Sequence, residues 1–256
     1  MTLEEAIAKI RPLDHNAMEI AQKRWDGIAK PLHSLGKLET LLIQIAGITG
    51  NAEVDLSRRG LIAMCADNGV VEEGVTQTGQ EVTAIVAENF LKYDTSVGVM
   101  CKQNHAEIFP VDMGMVTDTK VRTDHKIAYG TQNMTKGPAM TREQAVKGLE
   151  AGIDMVRELN DKGYRILATG EMGIGNTTTS SAVASVLLKQ PVEEMTGRGA
   201  GLTSEGLVRK INAIKKAITL NKPDPEDAID VLAKVGGLDI AGMAGVFLGG
   251  AVYGIP

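Results

Sequence analysis

The residues best suited to chemistry gather around short polar and glycine turns. One is Gly170-Glu171-Met172-Gly173-Ile174-Gly175-Asn176-Thr177-Thr178. Glycines at 170, 173 and 175 let the backbone turn tightly and bring N–H groups up to a ligand. A helix starting at Thr177 or Thr178 then offers free amides and the positive end of its dipole to a phosphate. No lysine follows the last glycine, so the run is neither a P-loop nor a GxGxxG fingerprint. Pattern alone leaves an anion cradle and an ordinary strand-to-helix turn both open. Glu171 is read as lying inside this turn, where a carboxylate could hold a ribose hydroxyl or handle a proton; a capping or solvent-facing glutamate is the plainer alternative. Asp67-Asn68-Gly69 and Asp112-Met113-Gly114 form two more polar turns, and Gly197-Arg198-Gly199-Ala200-Gly201 a second glycine loop. Lys210 follows that loop, about one and a half turns into a helix, a position that is usually solvated.

Other chemistries find little support. His15, His33, His105 and His125 have no metal-ligand spacing among themselves or with Cys65 and Cys101. No serine sits in a G-x-S-x-G elbow.

The elements that must position these turns alternate between strand and helix. Thr2 with Glu5 forms a capping-box pattern, and Asp14 can cap a second helix running to about Ala29. Ser34 is expected to start a third, with Leu38, Leu41, Leu42 and Ile45 on one face. Such a hairpin has no core of its own and should pack against the rest or against a second subunit. Gly60–Ala66 is short and continuously apolar, as a buried parallel strand requires. Helices are expected over Val82–Lys92 and Ser96–Asn104, with a strand over Glu107–Val111. A second capping box, Thr141 with Gln144, opens a helix to Asp161. Tyr164–Thr169 reads as a strand, followed by helices to Leu188, over Ser204–Leu220, over Pro223–Lys234 and over the Gly/Ala-rich Leu238–Tyr253. The fold expected is α/β, a Rossmann-like parallel sheet with flanking helices. Residues 1–50 would be the N-terminal helices of a small helical domain, and 51–256 the nucleotide-binding domain.

Composition narrows the partners. Aromatic residues are 3% of the chain and the formal net charge is -5 without a long basic run, which argues against nucleic acid and anionic membranes. With 43% hydrophobic residues over 256, a core can form without disulfides or metals. Cys65 and Cys101 lie in apolar runs and read as buried thiols, and the expected location is cytoplasmic.

Several segments together resemble the nicotinate-nucleotide:dimethylbenzimidazole phosphoribosyltransferases. They are Lys30-Pro31 through Glu39, Ala66 to Val70 with Glu73-Gly74-Val75, Glu81 to Ala84, Val111 to Gly114, Gly137 to Met140, Gly170 to Thr178, and Asp230 through Gly237. They occur in family order. The resemblance implies transfer of 5-phosphoribose from nicotinate mononucleotide to 5,6-dimethylbenzimidazole or a related aromatic base. The products are nicotinate and α-ribazole 5′-phosphate, for the lower ligand of cobalamin. No metal or organic cofactor is called for. Carried over by motif, Gly173, Gly175, Asn176 and Thr177 belong to the nucleotide loop, with Asp67, Asn68 and Gly199 beside it. Glu171 matches an active-site glutamate, Lys210 a lysine near the phosphate, and Thr78 and Val86 the aromatic-base pocket. Some relatives carry a polar side chain in place of Val86, so the base is left open.

The resemblance also implies a homodimer, and it sets the principal catalytic base in a Gly-Glu-Gly-Ser-type loop that the family carries after the segment ending at Pro256. The chain therefore reads as a C-terminally truncated member, lacking C-terminal strands and helices, with Glu171 in a supporting catalytic role. A non-catalytic subunit pairing with a full-length paralogue is the alternative. A dinucleotide-binding domain is disfavoured because no glycine-rich turn follows Gly60–Ala66.

Overall fold

The computed structural model describes residues 1–256. Three parallel strands, β1 (Arg59–Ala66), β2 (Ala106–Gly114) and β3 (Ile166–Met172), lie in the order β2-β1-β3. From Gly60 onward β1 is apolar, because both its faces are covered. Ile62, Met64 and Ala66 point into one core with Val111 and Met113, whereas Ala63 and Cys65 point into another with Ile108 and Phe90.

The second of those faces is covered by α4 (Glu81–Lys92) and α5 (Ser96–Gln103), and the first by α6 (Arg142–Asp161) and α11 (Leu238–Tyr253). α6 and α11 approach backbone to backbone. A Cβ on Gly152 would collide with the carbonyl oxygen of Gly242, and one on Gly245 with that of Leu149. The Gly/Ala richness of the last helix is what permits this contact. A third cluster joins α7 (Asn176–Leu187), α9 (Ser204–Asn221) and α10 (Ala228–Val235), with the short α8 (Val192–Met195) beside them.

At the N-terminus, α1 (Leu3–Lys9) is closed by the Thr2–Glu5 capping box and buries Leu3 and Ala6 in the α6–α11 core. α2 (His15–Asp26) and α3 (Lys37–Thr49) form a hairpin, with Asp14 capping α2. α2 stops at Asp26, short of Ala29. α3 starts at Lys37 instead of Ser34, because Pro31–Gly36 forms a turn with His33 and Gly36 at positive φ. Glu39 holds that turn: it pairs with Lys30 at 2.9 Å and accepts the Leu35 N–H at 3.0 Å. Of the face expected to be apolar, Leu38 and Leu41 remain half exposed, together with Leu32 and Leu35.

Two further boundaries differ from the sequence reading. β3 runs over Ile166–Met172, so Tyr164 precedes the strand and Glu171 lies within it. α10 begins at Ala228, after Asp227 caps it, and the segment from Pro223 is not helical. No helix is long and apolar enough to cross a membrane.

Candidate nucleotide site at the carboxyl edge

β2 lies on one side of β1 and β3 on the other, so the strand order reverses between β1 and β3. In open α/β sheets, ligands bind in the crevice that opens at such a switch point, beyond the carboxyl ends of the strands. Here that crevice is bounded by Asp67-Asn68 after β1 and Gly173-Ile174-Gly175 after β3. The two walls touch: a Cβ on Gly173 would collide with the Ala66 carbonyl oxygen, so only glycine fits. Gly175, at φ +98, caps α7. The glycines thus set the first turn of α7 beside Asn68, as an anion-binding helix start requires.

Lys210 differs most from expectation. It is fully buried, and its ammonium donates to Thr177 Oγ1 at 2.7 Å. Burial lowers its pKa, with no carboxylate pulling it back up. Over it folds the loop containing Gly199, at φ +57; a Cβ there would stand 2.7 Å from Thr177 Oγ1 and 3.3 Å from Lys210 Nζ. The first turn of α7, the Thr177 hydroxyl and a buried cation therefore converge on one spot, with Thr177 itself exposed. An anion is the ligand that satisfies all three.

Glu171 sits one residue before the end of β3, in register with Met64, and not within the turn that follows. Its side chain is open at the crevice mouth. Partial desolvation there raises its carboxyl pKa, opposed by a hydrogen bond donated by Asn176 Nδ2. Asp67 is buried, accepts the Val116 N–H at 2.8 Å and has its pKa raised by burial. Asn68, also buried, donates to Asp239 Oδ2 at 3.4 Å.

The segment carrying Thr78 and Val86 borders the same crevice. Gln77 donates to the Gly201 carbonyl, Thr76 to the Thr78 carbonyl, and Gln80 to the Asn68 carbonyl. Thr83 Oγ1 accepts the Ile174 N–H at 3.0 Å. Val86 packs beside Met172 in the α4 core, while Thr78 is exposed. The structure thus brings Asp67, Asn68, Glu171, Gly173, Gly175, Asn176, Thr177, Gly199 and Lys210 around one crevice, with Thr78 and Val86 on its α4 side.

Sequence reasoning missed two residues here. Thr83 stood inside an apolar helix pattern. Asp239 followed two glycines, where an acid looks like ordinary first-turn helix chemistry. A surface cleft of about 850 Å³ elsewhere on the molecule, lined by Leu13, Ile48, Leu167, Phe247 and Tyr253 among others, includes none of the crevice residues.

A parallel α/β sheet with an anion cradle at its switch point defines a nucleotide-binding class of enzyme. Comparison with known proteins narrows this. Residues 10–256 match the model of a family described as Phosphoribosyltransferase. The chain is 53% identical over 258 residues to the nicotinate-nucleotide–dimethylbenzimidazole phosphoribosyltransferase of Ruminiclostridium cellulolyticum, and 52% identical over 258 residues to that of Clostridium acetobutylicum. In both cases the alignment covers all of this chain and 73% of the relative. The crystal structure of CobT from Thermus thermophilus superposes with a TM-score of 0.87 at 35% identity, over 94% of this chain and 73% of that one. The chain belongs to the nicotinate-nucleotide–dimethylbenzimidazole phosphoribosyltransferase family.

Proposed function

We propose that the crevice holds nicotinate mononucleotide and supports transfer of its 5-phosphoribosyl group to 5,6-dimethylbenzimidazole or a close aromatic relative. The observation that carries this reading is the buried Lys210 ammonium, whose hydrogen-bond partner is the exposed Thr177 hydroxyl. A 5′-phosphate seated on Thr177, Lys210 and the α7 amides neutralises that charge. The ribose then extends toward Glu171, where a carboxylate stabilises the positive character that develops at the sugar carbon. The acceptor approaches from the side of Thr78 and Val86. The leaving nicotinate departs from a cationic pyridinium and needs little acid help, whereas the acceptor must lose its N–H proton to a base. The names of the relatives favour the transferase over a non-catalytic companion subunit.

The exposed Leu32, Leu35, Leu38 and Leu41 support a homodimer, testable by sedimentation. The buried, unpaired Cys65 and Cys101 support a reducing, cytoplasmic location. Residues 1–50 and 51–256 remain our proposed division of the chain.

The test of transfer is nicotinate release from nicotinate mononucleotide with and without dimethylbenzimidazole. Release that depends on the second base, with an α-linked product, is the result expected of the transferase. Binding without release assigns these 256 residues the nucleotide half alone. Release indifferent to the second base overturns the transfer.

A further inference from the structure

The crevice holds a second acid that the nucleotide reading does not use. Asp239 is the second residue of α11 and is fully buried. Its Oδ2 accepts from Asn68 Nδ2 at 3.4 Å, and its Oδ1 from the Ile240 N–H at 3.0 Å. Two glycines clear space for it. A Cβ on Gly237 would collide with Oδ1, and one on Gly173 with Oδ2. Gly173 lies two residues after Glu171, and side chains two apart along a strand point to the same side. The register agrees: Glu171 is paired with Met64, whose side chain packs against Gly242 of α11. Glu171 and Asp239 therefore share the α11 face of the sheet, one at the crevice mouth and one beneath it.

We propose that Asp239 and Glu171 form a coupled carboxyl pair on one face of the sheet, in which the charge of Glu171 holds the proton on buried Asp239 and that proton sets the total charge the crevice presents. Asp239 is fully buried, so it touches no ligand and acts on the crevice only through its charge. The proposal rests on the reading of this crevice as the ribosyl site. Burial first, and then the charge of Glu171, hold the Asp239 carboxyl up to about 7. Like charges sharing a crevice resist ionising together, so the proton stays on Asp239 until the pH rises through about 7. With Asp239 protonated, the crevice presents the single negative charge of Glu171 to the sugar. Once both ionise it presents two.

The other groups around the start of α11 leave this pairing intact. β1 contributes Cys65, whose thiol burial keeps protonated, and Asp67; β2 contributes Asp112, paired with Lys126 at 3.1 Å. α7 contributes Asn176 and Thr179, and α6 meets α11 through Gly148 and Gly152. α1 brings Leu3 and Ala6 to the same core. No lysine or arginine is among the groups that shift either carboxyl of the pair.

The test follows the two carboxyls by 13C NMR during a pH titration of the free protein, wild type against Asp239→Asn and Glu171→Gln. In wild type the Glu171 signal should move in two steps, the upper one near neutrality. In D239N that upper step should vanish. In E171Q the Asp239 midpoint should fall by about one pH unit, as expected when a nearby like charge is removed. Glu171 is exposed, so E171Q answers the question even if D239N fails to fold. A Glu171 titration unchanged in D239N, or an Asp239 midpoint unmoved in E171Q, overturns the coupling. Because ligand-free protein is titrated, failure of the transfer reading would leave these signals as they are.

Discussion

Replacing Lys210 by methionine separates a ligand site from a structural one, because the two readings predict opposite signs. In the free protein the ammonium is fully buried against a single hydroxyl at 2.7 Å. Burying a charge with so little compensation is unfavourable, and apolar replacements of similar volume are often neutral or stabilising by about 1–4 kcal/mol. Lys210→Met should therefore leave the melting temperature of the unliganded protein unchanged or raise it. With nucleotide present the effect reverses. A hydrogen bond between charged groups contributes roughly 1.5–3 kcal/mol, so K210M should bind nicotinate mononucleotide about 10- to 150-fold more weakly. Calorimetric titration gives the affinity and a thermal melt without ligand gives the stability. The lowered lysine pKa adds a pH signature: nucleotide affinity should decline at a pH below the ordinary lysine range, as the ammonium deprotonates. A K210M protein that melts several degrees lower yet binds nucleotide normally would refute the reasoning.

Gly199→Ala should weaken nucleotide binding and cost about 1–2 kcal/mol of stability, since the added methyl would crowd Thr177 Oγ1 and Lys210 Nζ at a positive-φ position; a competition assay reads the loss of binding and denaturant unfolding the loss of stability. Gly173→Ala should cost about 1–3 kcal/mol by overpacking against the Ala66 carbonyl, visible in denaturant unfolding. Asp239 has a folded-state pKa raised to about 7, so the native state binds more protons than the unfolded chain between roughly pH 4 and 7. Its contribution to stability is complete below that window and is lost as pH rises through it, by at most about 3–5 kcal/mol; Asp239→Asn should flatten that decline in unfolding curves at pH 5 and pH 8. The Glu39 carboxyl has the opposite sign. Its pKa is lowered chiefly by the Lys30 hydrogen bond, so its stabilisation is present above the usual carboxylate pKa and lost as pH falls through the folded value. Glu39→Gln should speed proteolysis within residues 27–36 at neutral pH.

Where a local signal governs local structure, the sequence was readable. Capping boxes at Thr2 and Thr141 placed the starts of α1 and α6, and glycines followed by an apolar run placed α11. The continuous apolar run of β1 announced a strand covered on both faces. β3 was misplaced because Gly170 looks like a turn. It is an ordinary strand position, where a Cβ would meet nothing within 4 Å, and the tight turn starts at Gly173. The start of α10 was placed at Pro223, as proline suits a first helical turn; the helix instead begins after Asp227, which caps it, while the Asp224 N–H donates to Asp230.

Within the site, the glycine turns were visible as composition, but the burial of Lys210 was not. It depends on the Gly199 loop folding over a helix that begins at Ser204, and no helical periodicity reports that. The proximity of Asp239 to Glu171 joins residues far apart in sequence through the sheet, so only the tertiary fold displays it.

The most direct test of the central claim compares nicotinate mononucleotide with nicotinate riboside, which lacks the 5′-phosphate, by equilibrium binding to this chain. The account predicts saturable binding of the nucleotide and at least a roughly tenfold weaker affinity for the riboside, the loss expected when one charge-assisted contact is removed. Equal affinities would contradict it, since the cradle of Thr177, Gly199 and Lys210 would then hold no phosphate.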